Sequence, residues 1–379
     1  MAWSFRIARL FDIDIKVHIT FFLILILGAF QWGGSTPGSI EGALFGVVLM
    51  ILLFTCVTLH ELGHGLVAKY FGIPVKDIVL MPLGGVAQLG KNPEKPLHEL
   101  LIAAAGPLVN VVIAIVLFIA TGFSAQLGVL GGRGELLNAL NTPSPRTLLL
   151  WLLTANVSLV IFNLIPAFPL DGGRILRALL AMKLGTPRAT RIASLIGQGI
   201  AIVLGIFGVL SGNFILALVA VFIFLGAGQE NVAAQAKTVL STQKIGDAYN
   251  KHAITLQNGD RLSKVVDYIL TSYQPDFAVT FGNNLLGIIT REDVLRTLAT
   301  NPNDVYVGEI MRREILKIDA NKSLDEVREA MGEKGARIAA IYNGNSYLGL
   351  VSTEDLSEAT AVLAFVQQQQ RIKKVVREA

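Results

Sequence analysis

Apolar residues gather into long runs over roughly the first 230 positions of this chain and into short runs after that. A helix needs about 20 apolar residues to cross a hydrocarbon layer roughly 30 Å thick. Six segments come near that length: 17–33, 43–68, 99–122, 147–166, 192–210 and 213–228. Little more than Ser211-Gly212-Asn213 separates the last two, which predicts a tight helical hairpin. Residues 77–90 are apolar but too short to span, and Pro82, Gly84 and Gly85 break helix. Irregular backbone is tolerated at membrane depth where it lines a protein cavity, so a re-entrant or hairpin segment is expected there. An ordinary interfacial loop is the alternative.

Beyond residue 229 the pattern changes. Residues 231–243 are polar, rich in Ala and Gln, and read as a linker. An internal repeat follows. The stretch Leu286-Gly287-Ile288-Ile289-Thr290-Arg291-Glu292-Asp293 returns as Leu348-Gly349-Leu350-Val351-Ser352-Thr353-Glu354-Asp355, an offset of 62 residues. Each copy reads as a short strand, a Thr or Ser N-cap, and an acidic residue at the third helical position, the capping-box pattern. A repeat of this length implies two similar α/β units packed on each other. The expected architecture is an α-helical polytopic membrane domain of about six transmembrane helices (1–230), the linker, and a tandem α/β pair at 244–360, divided into 244–301 and 302–360. The tail, 361–379, reads as frayed helix or disorder, with Gln367 to Gln370 followed by Arg371, Lys373 and Lys374.

Charged residues make up 16% of the chain, against about 25% in soluble globular proteins. The net charge of +4 suits a membrane protein with basic loops and gives no reason to invoke nucleic acid. Cys56 is the single cysteine, which excludes a disulfide framework and a cysteine-based zinc site. Arg6, Arg9, Asp12, Asp14 and Lys16 precede the first apolar run, and no clear cleavage site follows it near Gly34 and Ser35. The run is therefore expected to be retained. With the N-terminus inside, the cytoplasmic face receives Arg6, Arg9, Lys16, Lys69, Lys76, Lys91, Lys95, Arg174, Arg177, Lys183, Arg188 and Arg191. The outer loops receive only Arg133 and Arg146. That bias predicts cytoplasmic termini and a cytoplasmic C-terminal domain in a multi-pass cell-membrane protein.

The second apolar run contains His60-Glu61-Leu62-Gly63-His64. Four residues apart on a helix, the two imidazoles share a face and can reach one zinc ion. Glu61 stands beside the first of them, where a carboxylate can take a proton from an attacking water. The five residues alone are a weak signal. Their setting strengthens it, because ionisable side chains are costly to bury in lipid and mark function there. His60 lies about 16 Å of helix rise before Phe71, below the membrane surface on the cytoplasmic side. A catalytic zinc needs a third protein ligand and an open position. Asp171 is the best candidate, since it follows the fourth span on the same side, flanked by Pro166, Pro169, Gly172 and Gly173. The alternative for Asp171 is a helix cap. Cys56 reads as packing, since a fourth ligand would close the site. His18 reads as an interfacial residue of span one, His98 as flanking span three, and His252 as part of the soluble domain.

The His-Glu-Leu-Gly-His helix, the Ala105-Gly106-Pro107 segment leading to Asn110, and Asn163-Leu164-Ile165-Pro166-Ala167-Phe168-Pro169-Leu170-Asp171-Gly172-Gly173-Arg174 together resemble the site-2 protease family of intramembrane metalloproteases. The resemblance covers most of residues 1–230. It implies His60, His64 and Asp171 as ligands to one Zn2+ per chain, Glu61 as general base, and cleavage of a membrane-embedded segment of a membrane-protein substrate. Asn163 can donate to the oxyanion or hold an unwound substrate backbone, the alternative being a helix–helix hydrogen bond. The chain has no room for a PDZ insertion between the motifs and resembles the subgroup with a C-terminal pair of CBS domains. In the CBS family, a Thr or Ser followed three residues later by Asp often contacts adenosine ribose. Thr290 with Asp293, and Ser352 with Asp355, match that pattern and imply a site for an adenine nucleotide (ATP, ADP or AMP), or else are helix caps and no more. CBS pairs also imply a homodimer. A CBS-regulated channel or transporter would account for the spans and the sensor, but not for the two motifs that meet on one membrane face.

Overall fold

The structure is a computed structural model that describes residues 3–33, 40–82, 84–90, 93, 95–122, 143–250, 253–272, 274–301 and 303–378. Gly34, Ser35, Lys91, Arg133 and His252 lie outside the described residues. The chain divides into two compact units, Met1–Val232 and Ala233–Ala379.

The first unit opens with two strands, β1 (Ser4–Leu10) and β2 (Ile13–His18), paired antiparallel. Ile13, Ile15 and Val17 are buried and alternate with part-buried Asp14, Lys16 and His18, the period of a strand with one face on a core. Val17 and His18 therefore belong to β2 and not to the first span. His18 Nδ1 lies 2.8 Å from Thr20 Oγ1 at the strand's end. Helix α1 (Phe21–Gly33) follows, an apolar helix of 13 described residues. Among the described residues, five helices are long and apolar enough to cross a membrane: α2 (Ile40–Tyr70), α3 (Pro96–Ala120), α4 (Pro145–Asn163), α6 (Thr186–Leu210) and α7 (Phe214–Thr242). The amphipathic α5 (Asp171–Leu184) lies between α4 and α6.

The polarity of this bundle is inverted relative to a soluble fold. Leu23, Ile26, Leu27 and Phe30 of α1 and Ile202, Val203, Ile206 and Phe207 of α6 are exposed. His60, Glu99, Asn110, Asn156, Thr190 and Ser194 are buried. Apolar faces of that extent call for lipid around them, and the chain is a multi-pass membrane protein.

Residues 77–90 form a hairpin of β3 (Val75–Met81) and β4 (Gly84–Leu89). Together with the N-terminal strands they make one sheet, ordered β1-β2-β3-β4, with β2 and β3 parallel. Ile13, Ile15, Val17, Ile78 and Leu80 of the sheet share a core with Phe21 of α1 and with Phe54 and Leu62 of α2. The sheet is thus seated on the helix that carries His60 and His64. Arg177 of α5 donates to Glu99 of α3, its Nε 2.6 Å from Oε1, and to Glu230 of α7, with its guanidinium 5.0 Å above the Phe168 ring.

The second unit realises the repeat. One half pairs β5 (Thr255–Gln257), β6 (Asp276–Phe281) and β7 (Asn284–Thr290), and the other β8 (Leu316–Asp319), β9 (Ile338–Asn343) and β10 (Ser346–Ser352). In each half the first pairing is parallel and the second antiparallel. The helices are α8 (Ile245–Ala248), α9 (Leu262–Thr271), α10 (Arg291–Thr300), α11 (Val307–Ile310), α12 (Leu324–Lys334) and α13 (Thr353–Glu378).

The tail, read as frayed helix or disorder, is helical to Glu378 within α13. Two expectations change. The stretch read as a linker is helical, because α7 runs on to Thr242. The division at 301/302 does not follow the packing. Val307 and Met311 lie in the core of the first half, with Leu256, Phe277 and Ile289. Leu240 and Ile245 lie in the core of the second, with Ile318, Leu324 and Val351. Backbone hydrogen bonds fix the exchange: Val307 N–H donates to Asp260 O at 2.8 Å, and Ile245 N–H to Lys322 O at 2.9 Å. Each half borrows its lead-in segment from a position the repeat assigns to the other. A fragment of residues 244–301 is therefore expected to stay unfolded, lacking Val307 and Met311. A cooperative thermal transition of that fragment in circular dichroism would contradict the exchange.

Candidate metal centre

Helix α2 brings His60 and His64 onto one face, both nearly fully buried. Their Nε2 atoms lie 3.1 Å apart. The opposite ring nitrogens are both engaged by α3. His64 Nδ1 lies 2.7 Å from the carbonyl oxygen of Ile102, and His60 Nδ1 lies 2.5 Å from Asn110 Oδ1. Ile102, Gly106 and Asn110 follow one another at intervals of four, so they form a single stripe of α3 against α2. The middle position admits no side chain. A Cβ on Gly106 would fall 2.2 Å from His64 Nε2 and 2.7 Å from His60 Nε2.

Asp171 completes the cluster. After α4 ends at Asn163, the chain doubles back through residues 164–170 and re-enters helix at α5 with Asp171 as its first residue. The turn is tight enough to require glycine after it. A Cβ on Gly172 would lie 2.3 Å from the Ile165 carbonyl oxygen, and one on Gly173 2.5 Å from the Phe168 nitrogen. This fold-back sets Asp171 Oδ2 at 3.2 Å from both His60 Nε2 and His64 Nε2.

These distances carry a chemical consequence. A carbonyl oxygen only accepts, so the Nδ1 facing Ile102 carries the proton, and in the neutral ring His64 Nε2 presents a lone pair. The Asn110 oxygen does the same for His60. Two lone pairs and a carboxylate oxygen then converge within 3.1–3.2 Å. Tetrahedral zinc with bonds of about 2.0–2.1 Å separates its ligands by about 3.3 Å, and two imidazoles with one carboxylate leave a fourth position open. The group fits zinc in spacing, in donor type and in tautomer.

Glu61 is part-buried beside the cluster. Its Oε2 accepts from Ala87 N–H of β4 at 3.2 Å, and a Cβ on Gly85 would lie 2.6 Å from its Cγ. The edge strand of the sheet therefore passes directly over the acid. Asn163 is the last residue of α4, part-buried. Cys56 packs with Trp32, Leu49 and Leu152. His98 is in the first turn of α3, stacked on Phe71 at 4.0 Å. Asn156 is a site residue that sequence reasoning missed: it is fully buried on α4 and bonded to Asn110. An asparagine amid apolar residues of a span is the signal that could have found it.

In the second unit, Thr290 and Asp293 form a reciprocal capping box on α10. Ser352 and Asp355 are bonded the same way at the start of α13. Asp293 Oδ1 also binds the Arg312 guanidinium at 2.6 Å. Burial opposes the charge of Asp293, but Arg312 and Thr290 outweigh it and hold the carboxyl below its ordinary range. A cavity of about 710 Å³ is lined by Thr290, Arg291, Arg312, Arg337 and Asp276, among others. Asp355 lies apart from it, in a smaller hollow of about 240 Å³ with Tyr249 and Asn250.

The model of peptidase family M50 matches residues 48–207, and the CBS domain model matches residues 307–361. Zinc metalloprotease MJ0392 of Methanocaldococcus jannaschii is 33% identical over 365 residues, 96% of this chain and 98% of its own length. The protein sll0528 of Synechocystis is 30% identical over 373 residues, 92% of this chain and 93% of its own. A solved site-2 protease from Methanocaldococcus jannaschii is 42% identical, covering 60% of this chain and 95% of its own, with a TM-score of 0.42. The match to MJ0392 runs nearly end to end in both proteins, and with it the chain belongs to peptidase family M50, the site-2 proteases, as a membrane-embedded zinc metalloprotease with a C-terminal CBS region.

Proposed function

We propose that His60, His64 and Asp171 hold one zinc ion and that Glu61 is the general base for hydrolysis of a peptide bond in a transmembrane segment. The observation that carries this reading is the triangle of three electron-pair donors at 3.1–3.2 Å, with both Nδ1 atoms committed elsewhere. Zinc held there supplies Lewis-acid chemistry, acidifying water and polarising a carbonyl. Glu61 takes the proton of the attacking water and returns it to the leaving amine. The Ala87 N–H holds the carboxylate in place from one side. Asn163 donates to the developing oxyanion from the end of α4.

A substrate helix hides its carbonyls in its own hydrogen bonds and must unwind to be cut. Strand β4 is an edge of the four-stranded sheet, and its Gly84-Gly85 start lies over Glu61. An unwound substrate pairs with that edge as an added strand. The family supports a membrane-protein substrate, and the distribution of Lys and Arg supports cytoplasmic termini and CBS units. The 710 Å³ cavity, where Arg291, Arg312 and Arg337 stand among Asp276, Glu292, Glu314 and Glu354, supports an adenine nucleotide whose phosphates would draw Arg312 from Asp293 and Arg337 from Glu354. Asp293 then serves the ribose by releasing Arg312, and the CBS units associate two chains.

The decisive assay uses the purified full chain in detergent with a membrane-protein substrate. Glu61→Gln is expected to lower cleavage by about 10²- to 10⁴-fold while it retains zinc. Undiminished cleavage would rule out Glu61 as the base. Asp171→Ala and Gly106→Ala are expected to lose zinc by elemental analysis, the first by removing a donor and the second by driving a methyl into both imidazoles. Gly85→Pro should abolish cleavage with zinc content unchanged, and unimpaired cleavage would rule out strand pairing at β4. Titration calorimetry of the full chain with ATP, ADP and AMP tests the cavity. Binding that survives Arg312→Ala undiminished would move the nucleotide elsewhere.

A further inference from the structure

The two imidazoles are oriented by different means. His64 is fixed in one step by a backbone carbonyl, which cannot do other than accept. His60 is faced by an amide, and an amide has two ends. Turned one way Asn110 accepts from Nδ1–H and leaves Nε2 free for a metal. Turned the other way it donates to Nδ1 and stabilises the tautomer with Nε2–H, which cannot bind one. Something must choose.

Asn156 of α4 is placed to make the choice. Its Nδ2 donates to the Leu152 carbonyl oxygen at 2.8 Å, one turn back on its own helix. That carbonyl only accepts, so the nitrogen end of Asn156 is assigned without ambiguity. The oxygen end then faces Asn110 at 2.9 Å and takes a hydrogen from Asn110 Nδ2. The oxygen of Asn110 is thereby turned to His60 Nδ1 at 2.5 Å. Asn110 and Asn156 are both 0% exposed, so water does not compete for either amide. Every link is forced by the one before it, from a backbone carbonyl on α4 through α3 to α2.

We propose that Asn156 is a positioning residue for zinc: it sets the orientation of Asn110, and through it the His60 tautomer that leaves Nε2 open to the metal. This rests on the assignment of His60 as a ligand. Outer partners of metal-bound imidazoles typically contribute 10- to 100-fold in metal affinity, and the same range is expected for a residue two hydrogen bonds removed from the ring.

The test is release of zinc from the full-length holoenzyme in detergent to a chromophoric chelator, read as a rate. Asn156→Leu is expected to speed release about 10- to 100-fold. Asn156→Asp, buried and protonated, keeps an acceptor toward Asn110 and a donor toward Leu152, so it should release zinc at the wild-type rate. In an Asn110→Leu background the link from Asn156 to His60 is already cut, and Asn156→Leu should not speed release further. A merely structural role for Asn156 would retain its cost in that background, and that result would overturn the proposal, as would wild-type release from Asn156→Leu. A measurement without variants stands beside these. Nitrogen-15 shifts of the zinc-free protein should show His60 protonated at Nδ1, and an unprotonated Nδ1 would refute the relay. His60→Ala separates the two levels. Retained zinc in that variant would remove His60 as a ligand, whereas zinc lost there but held normally by Asn156→Leu would remove the relay alone.

Discussion

Three electron-pair donors within 3.2 Å of one another, deep in a helix bundle, repel unless a cation lies among them. The first unit is arranged around that constraint. His60 and His64 come from α2, their outer nitrogens are held by α3, and Asp171 arrives on α5 after the fold-back from α4. Gly106, Gly172 and Gly173 stand where a methyl would push these elements apart by collision with the donors or with the fold-back itself. Within lipid no water is present to satisfy a misaligned polar group, so orientation has to come from protein. That is why buried polar residues of this bundle occur in chains of partners, such as Leu152–Asn156–Asn110–His60 and Glu99–Arg177–Glu230.

Much of this was legible in the sequence because the chemistry is periodic. Two histidines at a spacing of four point to one face of a helix, and topology brings the Asp-Gly-Gly turn to the same side. The capping boxes of the repeat were legible for the same reason, since Thr290 and Asp293 are three positions apart and act on the same helix end. The less legible features depend on contacts distant in sequence. Asn110 and Asn156 are 46 residues apart and bond only because α3 and α4 pack together. The exchange of lead-in segments between the CBS halves is likewise a matter of packing, and nothing in the 62-residue offset marks it.

Strand β2 is a different case. Ile13, Ile15 and Val17 alternate with Asp14, Lys16 and His18, which is a readable strand signal. The apolar run beginning at Val17 is continuous with it and masks it, because the length of such a run outweighs a short period at its edge. The consequence reaches the site. Once β2 is a strand, β3 has a partner, and the expected hairpin at 77–90 supplies an inner and an edge strand of one sheet.

On the proposed reading, the sheet gives the base and the substrate a common support. Ala87 N–H of β4 holds Glu61, and the start of the same strand lies against the Glu61 side chain. A substrate strand added at that edge would be registered by the element that also positions the acid, so docking and proton transfer share one reference frame. The frame is stiffened from behind by the parallel pairing of β3 with β2 and by the core that β2 and β3 share with Leu62, two residues from His60. Hydrolysis of a buried peptide bond requires an extended backbone to be presented with little slack, because a small displacement of the carbonyl from the metal and the base is costly in rate. An edge strand fixed to the helix that carries His60, Glu61 and His64 meets that requirement in a way that a flexible loop would not.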